Sequence, residues 1–308
     1  MPHICRNTVL QCKNFLNSFR GPMATLRRMY SQENDGSFIG FIGGGNIAYS
    51  IGKGIIKTRL VESSKVYVAE PYVPMHRRWR DLGVNVTTEN GVVVTKCKTI
   101  FLAVKTTALK DAVKGIAKTL PGPAESCLIV SALAGISLDT LRKIILPVLP
   151  EARIVRSTLN TPLLVGAGCT VFSVDERVTE QDVVQLKKLM SSIGMVDVVP
   201  ETQMNAVGAL VGCGPAYMFV MLEAIADGAV KMGVPRDLAL RLATQIMHGS
   251  AKMVQDTGKH PGELKDEVCS PGGTTIGGLH ALEKGGLRAT LIDTIEAAVE
   301  RSRAISAN

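Results

Sequence analysis

The sequence has no cysteine pair at C-x-x-C spacing, no H-E-x-x-H element, and no unbroken apolar run of the roughly 20 residues that span a bilayer. Its seven cysteines and five histidines are scattered over 308 residues. No metal site is expected, and the thiols are expected to be reduced, small apolar residues. The longest apolar candidates, "CLIVSALAGI" and "AYMFVML", lie between polar segments, so a soluble chain without membrane insertion is expected. Acid is also missing, but only locally. Ahead of Glu33 stand Arg6, Lys13, Arg20, Arg27 and Arg28, with no Asp or Glu among them.

That local imbalance supplies much of the net charge of +8. After Glu33, basic and acidic residues are interspersed, without a long basic run or interleaved aromatics, which argues against a nucleic-acid partner. An Arg-rich, hydroxyl-bearing, acid-poor leader has the character of a mitochondrial presequence. "RRMYS", Arg27 to Ser31, resembles a matrix-peptidase site cut before Ser31. The expected location is the mitochondrial matrix, with the cytoplasm as the alternative if the leader is only a tail. Residues 1–36 are therefore set apart from the fold.

From Ser37 the rhythm is strand, turn, helix. "FIGFI", "KVYVA", "GVNVT", "KTIFLAV", "SCLIVSALAG" and "ARIVRST" are short β-branched or apolar runs, followed later by "MVDVVP". Helical spacing occurs in "NIAYSIGKGIIKT", "TTALKDAVKGIAKTL", "ISLDTLRKIIL" (capped by Ser137) and "TEQDVVQLKKLMSSIG". Such alternation implies an α/β Rossmann-type, doubly wound parallel sheet over residues 37–200. Beyond Pro200 the segments read as helices alone, with Pro215 and Pro235 at helix starts. Their apolar faces exceed what one small bundle buries, so residues 201–308 are expected to form an all-helical domain that pairs with another subunit.

Two glycine-rich stretches carry chemistry. In "GFIGGGNIA", Gly43 permits a tight turn, Gly45 lets a pyrophosphate approach the backbone, and Ala48 allows close helix–strand packing. Gly43, Gly44, Gly45, Asn46, Ile47 and Ala48 are thus the expected dinucleotide loop. The second strand ends at Glu70, which suits a ribose hydroxyl and repels a 2′-phosphate. At ~4 Å and an effective dielectric of ~20, that repulsion is on the order of 4 kcal/mol. His76, Arg77 and Arg78 just downstream are able to offset it. The expected cofactor is NADH or NADPH, leaning to NADH. The second stretch, "EVCSPGGTT", presents backbone N–H groups to an anion at a helix start.

"HPGELKDEVCSPGGTTIGGLHALE", His260 to Glu283, resembles the signature segment of the pyrroline-5-carboxylate reductase family. "FLAVK", "NTP", "GCGPAY" and "DGAVKMGVPR" match in order, from Phe38 to the C-terminus. The resemblance implies a Rossmann domain followed by a helical dimerisation domain. It also implies hydride transfer from NAD(P)H to the C=N carbon of 1-pyrroline-5-carboxylate, giving proline. It places Asn90 beside Glu70 at the adenosine ribose, and Val104, Lys105, Ala132 to Ala134 and Asn160 along the rest of the cofactor. Glu201 and the segment Val268 to Thr275, with Gly272, Gly273 and Thr274, face the substrate, the segment reaching in from the partner subunit. Family members associate as interleaved homodimers, often assembled into decamers. Thr275 is assigned an orienting or proton-relaying role towards the ring nitrogen.

Plainer readings stand beside these. Lys105 suits a solvated strand-end lysine, Asn160 an Asx-type turn before Pro162, and Glu201 a helix cap. The chain departs from the family pattern at Thr106, where proline is usual, at Val211 and Cys213, where serine is common, and at Glu70. A 3-hydroxyacid dehydrogenase-type reductase is the alternative enzyme, but "GCGPAYMFVMLEA" lacks the helix lysine such enzymes rely on. A catalytically idle nucleotide sensor would need only the first glycine loop. Mass spectrometry of the mature protein from mitochondria should find a chain beginning near Ser31; an intact Met1 or Met23 start there would remove the presequence reading.

Overall fold

The computed structural model describes residues 38–307, so the leader and its cleavage site lie outside the described residues. Eight strands form one sheet: β1 Phe38–Ile42, β2 Val66–Ala69, β3 Asn85–Thr87, β4 Cys97–Leu102, β5 Leu128–Ser131, β6 Arg153–Leu159, β7 Gly168–Val174 and β8 Gly194–Val198. Their order is β3-β2-β1-β4-β5-β6-β7-β8. Six pairings are parallel, and the chain passes between those strands through α1 Asn46–Lys57, α2 His76–Arg80, α3 Asn90–Lys96, α4 Leu109–Thr119, α5 Leu138–Ile145 and α6 Glu180–Ser191.

Neighbouring residues of a strand point to opposite faces, and the sheet therefore carries two cores. Phe41 and Phe101 pack on one face with Ile51 and Ile55 of α1, Trp79 of α2 and Leu189 of α6. Ile42, Ile100 and Leu102 pack on the other with Val93 of α3, Val113 of α4 and Leu141 of α5. Buried on both sides, these strands read as continuous apolar runs, which is why they were visible in the sequence.

One strand was not anticipated. β7, "GCTVFSV", runs antiparallel to β6, with Val155 opposite Val174 and Leu159 opposite Thr170. The chain reverses through the 3-10 turn Thr161–Val165, ending at Gly166 in the left-handed region (φ 76°), because a hairpin needs no crossover helix. The sheet is thus mostly rather than wholly parallel. The "MHRRW" segment, read only as basic, forms a 3-10 turn and α2.

The last strand ends at Val198 and only helices follow among the described residues: α7 Met204–Lys231, α8 Arg236–Thr257, α9 Pro261–Val268, α10 Thr274–Lys284 and α11 Leu287–Ala307. Two compact units divide inside α7, the second comprising Cys213–Arg301. Pro235 directly precedes α8, but Pro215 lies inside α7 rather than at its start. The continuity has a consequence for membrane character. The helical stretch Glu201–Lys231 includes an 18-residue window of mean hydropathy 1.6, so one helix among the described residues is long and apolar enough to cross a bilayer. Breaking the sequence at Pro215 hid that length.

Within the second unit only Ala226, Ala239 and Ala243 make a buried apolar cluster. Phe219, Val220, Met232 and Ile292 remain 64–81% exposed. Such faces normally meet another surface.

α6 shows how individual ends are fixed. Thr179 caps it through the Asp182 N–H, and the Asp182 carboxylate accepts from the Thr179 N–H at 2.9 Å, completing a capping box. The same carboxylate takes two bonds from Arg153 of β6, at 2.7 and 2.9 Å. Burial alone would raise the Asp182 pKa, but the Arg153 and Thr179 bonds outweigh it and hold it below the ordinary aspartate value. Asp182→Ala should therefore lower stability at neutral pH by about 2–4 kcal/mol. Because the folded pKa is depressed, this contribution is present above the unfolded aspartate pKa and is lost as pH falls through the folded one. Denaturant unfolding of both proteins at pH 7 and in acid measures it, and their curves should converge in acid.

Candidate functional site

β1 delivers the chain into a turn that glycine alone accommodates. Gly43 has φ 92°, and a Cβ there would sit 2.7 Å from the Ala103 carbonyl oxygen. Its N–H donates to the Ala69 carbonyl at 2.9 Å. Gly45 is the N-cap of α1, which has neither a side-chain cap nor an acidic residue in its first turn. A Cβ on Gly45 would meet nothing within 4 Å. The open side of the turn therefore faces an uncapped helix N-terminus, which favours an anion. Ala48 is fully buried against the sheet, Ile47 is half-buried, and Asn46 is exposed.

Side chains of β2 and α2 hold this turn in place. Glu70 accepts from the Gly44 N–H at 2.7 Å and from the Tyr72 N–H at 2.9 Å, so each carboxylate oxygen is engaged. The Gly44 carbonyl accepts from Trp79 Nε1 at 3.0 Å and from Arg78 Nη2. Arg78 Nη1 also donates to Asn46 Oδ1 at 3.1 Å, and its guanidinium lies 4.7 Å from the Tyr49 ring centroid. His76 is buried, with Nε2 2.6 Å from the Glu70 carbonyl. Gly44 is thus gripped at both its N–H and its C=O. The grip is not legible from the sequence, whose one trace of it is the lone tryptophan nine residues beyond Glu70.

Val104, Lys105, Ala132 and Ala134 follow the carboxyl ends of β4 and β5. Ala103 N–H bonds the Ile42 carbonyl and Ala132 N–H the Leu102 carbonyl, which aligns these ends with that of β1. The strand order reverses between β1 and β4, the switch point where open α/β sheets bind ligands. Lys105 is exposed, in keeping with a solvated strand-end lysine. Asn90 opens α3, and its side chain donates to the Ala112 carbonyl of α4 at 2.9 Å.

Asn160 is a brace rather than an Asx turn. Its Oδ1 accepts from the Cys169 N–H at 2.9 Å and its Nδ2 donates to the Val211 carbonyl at 3.2 Å, joining the end of β6 to β7 and α7. Glu201 has a similar office. Its Oε1 accepts from Arg156 at 2.7 Å and from the Leu138 N–H at 3.1 Å, which caps α5 from afar. Arg156, itself buried, also donates to Asn205 at 2.8 Å. Glu201 Oε2 is buried without a partner.

The second glycine stretch is described within its own unit. Gly272 is left-handed (φ 67°), with nothing near a hypothetical Cβ. Gly273 is the N-cap of α10, which again has no side-chain cap and no first-turn acid. Contrast α5 and α6, whose starts carry a Ser or Thr cap and acidic residues. Thr274 is exposed and Thr275 half-exposed, on that uncapped first turn, and Val268 is exposed at the end of α9. At the position where serine is common, Cys213 is a free, exposed cysteine on α7.

A left-handed glycine turn, an uncapped α1, room at Gly45 and a switch point beside it fit a dinucleotide. They define a Rossmann-class nucleotide-dependent oxidoreductase. Residues 38–135 match the family model "NADP oxidoreductase coenzyme F420-dependent", and residues 201–305 match "Pyrroline-5-carboxylate reductase dimerisation". Pyrroline-5-carboxylate reductase 2 of Bos taurus is 39% identical over 267 residues, 86% of this chain and 82% of that one. Pyrroline-5-carboxylate reductase 3 of Danio rerio is 41% identical over 266 residues, 86% and 90%. The crystal structure of Plasmodium falciparum pyrroline carboxylate reductase with NADP bound superposes with a TM-score of 0.78 at 28% identity, covering 88% of this chain and 98% of that one. The chain belongs to the pyrroline-5-carboxylate reductase family.

The two glycines of the first turn should separate by experiment. Gly45→Ala has room in the fold but intrudes on the ligand, so it should raise the KM for the dinucleotide about tenfold or more with little change in melting temperature. Gly43→Ala meets backbone in a left-handed conformation and should lower the melting temperature, by at least the 1–2 kcal/mol such a conformation costs. Thermal melts beside cofactor titrations check both.

Proposed function

We propose that this chain reduces 1-pyrroline-5-carboxylate to L-proline with a reduced nicotinamide dinucleotide. The observation that carries the reading is the pairing of two uncapped, glycine-led helix starts, α1 and α10, in a chain of this family. The first suits a pyrophosphate and the second a carboxylate. When bound, the nicotinamide supplies the hydride to the imine carbon.

The chain's own residues bind and orient. Backbone N–H groups of Thr274 and Thr275 take the substrate carboxylate, and glycine at 272 lets it approach, the Gly273 N–H being spent on the Ser270 carbonyl. Thr275, on the first turn of α10, orients the ring nitrogen through its hydroxyl as the imine becomes an amine. No His or Lys stands between Val268 and Thr275, where Cys269 is the one ionisable side chain, and a protonated imine, already electrophilic, asks chiefly for positioning rather than for a strong acid. Glu201 acts indirectly, holding α5 and Arg156, with its free oxygen adding negative potential.

NADH is the favoured cofactor in this proposal, because Glu70 is fixed at the ribose end by two backbone N–H groups. Two chains pair through their helical units, since the exposed apolar faces of α7 to α11 fall in the matched dimerisation region; further assembly to a decamer follows family habit. Burial of α7 in that pairing explains its apolarity without membrane insertion. The acid-free leader supports the mitochondrial matrix as location.

Purified protein should oxidise NADH in the presence of 1-pyrroline-5-carboxylate, with a higher kcat/KM than for NADPH, and Glu70→Ser should narrow that gap. Thr275→Ala should lower kcat by about tenfold or more at unchanged cofactor KM. No turnover by the wild type with either cofactor would sink the proposal.

A further inference from the structure

A proline inside a helix has no N–H for the carbonyl four residues before it, and its ring crowds that oxygen. In α7 the proline is Pro215 and the carbonyl is that of Val211. The side chain of Asn160, at the carboxyl end of β6, donates to this same oxygen from Nδ2 at 3.2 Å. The sheet thus supplies a donor at the one carbonyl from which the sequence of α7 withholds the regular one.

The direction of the amide is fixed independently. The Cys169 N–H can only donate, and it bonds Asn160 Oδ1 at 2.9 Å, so Nδ2 is the atom left for Val211. An aspartate would keep the first bond and set an acceptor against the Val211 oxygen. Val211 is itself buried, where a carbonyl without a partner is costly.

Val211 belongs to the first compact unit, which extends to Gly212. This part of α7 is tied to β6 at a second level, where Arg156 bonds Glu201 and Asn205. Close by, Gly208 and Gly212 face Thr158, whose side chain would lie 3.7 and 3.9 Å from a Cβ at those positions. β1, β4, β5 and β6 are parallel neighbours, so Asn160 stands on the same sheet edge as the Gly43 turn. That is the edge where open α/β sheets take their ligands.

We propose that Asn160 is a positioning residue for imine reduction: it stands in for the N–H that Pro215 lacks, and so sets where α7 lies along the ligand edge of the sheet. It acts through α7 and not by contact with the nicotinamide. The catalytic consequence rests on the proposed function, whereas the pairing of Asn160 with Pro215 does not.

A double-mutant cycle on the full chain tests this. In Pro215→Ala the helix recovers its own donor to Val211, which leaves Asn160 less to do. In the wild-type background Asn160→Ala should lower the melting temperature and reduce kcat about tenfold, with the dissociation constant of NADH unchanged within about twofold. In the Pro215→Ala background the same substitution should reduce kcat about threefold or less and lower the melting temperature by less than half as much. Equal losses in the two backgrounds would separate Asn160 from Pro215, and an unchanged kcat beside a lowered melting temperature would make the bond structural only; either overturns the proposal. A loss of NADH affinity matching the loss of kcat, the mark of direct contact with the nicotinamide, overturns it as well. If Asn160→Ala folds only when Pro215→Ala accompanies it, the pairing is upheld; if it folds in neither background, the proposal falls. A wild type without turnover of 1-pyrroline-5-carboxylate would remove the proposed function, while the melting-temperature cycle would still read the pairing, so the two fail separately.

Discussion

The left-handed backbone at Gly43 is the constraint on which the rest depends. Only there can the chain leave β1, pass under the Ala103 carbonyl, and start α1 with its N–H groups pointing outward. Everything downstream secures that geometry. Ala48 and Ile51 seat the helix on the sheet, and Trp79, wholly buried, fills the space beside Gly44 and Gly52. A Cβ on Gly52 would lie 2.6 Å from the Trp79 ring, so the helix, the tryptophan and the turn constrain one another. The turn is preorganised by packing as much as by hydrogen bonds.

Polar side chains in this protein brace more often than they wait for a ligand. Glu201, Asn160 and Asn90 were attractive as site residues because of their types and positions. Each also bonds a backbone group of a neighbouring element, and Glu201 bonds the Arg156 side chain as well. That is the expected fate of a buried polar group, since an unpaired one costs about 1–3 kcal/mol. In the proposed function the ligand-facing groups are backbone N–H donors at two uncapped helix starts, which side-chain inventories do not reveal.

The sheet and its helices were legible because strands buried on both faces become unbroken apolar runs, and α5 and α6 announce their starts with Ser137 and Thr179. The dinucleotide turn was legible because no residue but glycine serves at position 43. Two features were hidden for physical reasons. β7 follows a short hairpin, and seven residues without a helix beside them look like a loop. α7 continues through Pro215 because the rest of its 28 residues sustain the helix across the missing hydrogen bond, whereas local propensity predicts a start there. The clasp on Gly44 was unreadable, since it depends on α2 folding back beneath the turn. Identical letters, "HRRW", would be a solvated basic patch on a different backbone.

Both glycine stretches lead into a helix start without a side-chain cap. The proposed function is a hydride transfer from the nicotinamide to the imine carbon of 1-pyrroline-5-carboxylate. Its most direct measurement is the product formed from 1-pyrroline-5-carboxylate and NADH deuterated at the transferable position of the nicotinamide. The account predicts proline carrying a single deuterium on the former imine carbon. Proline without deuterium, or label on any other carbon, would contradict it.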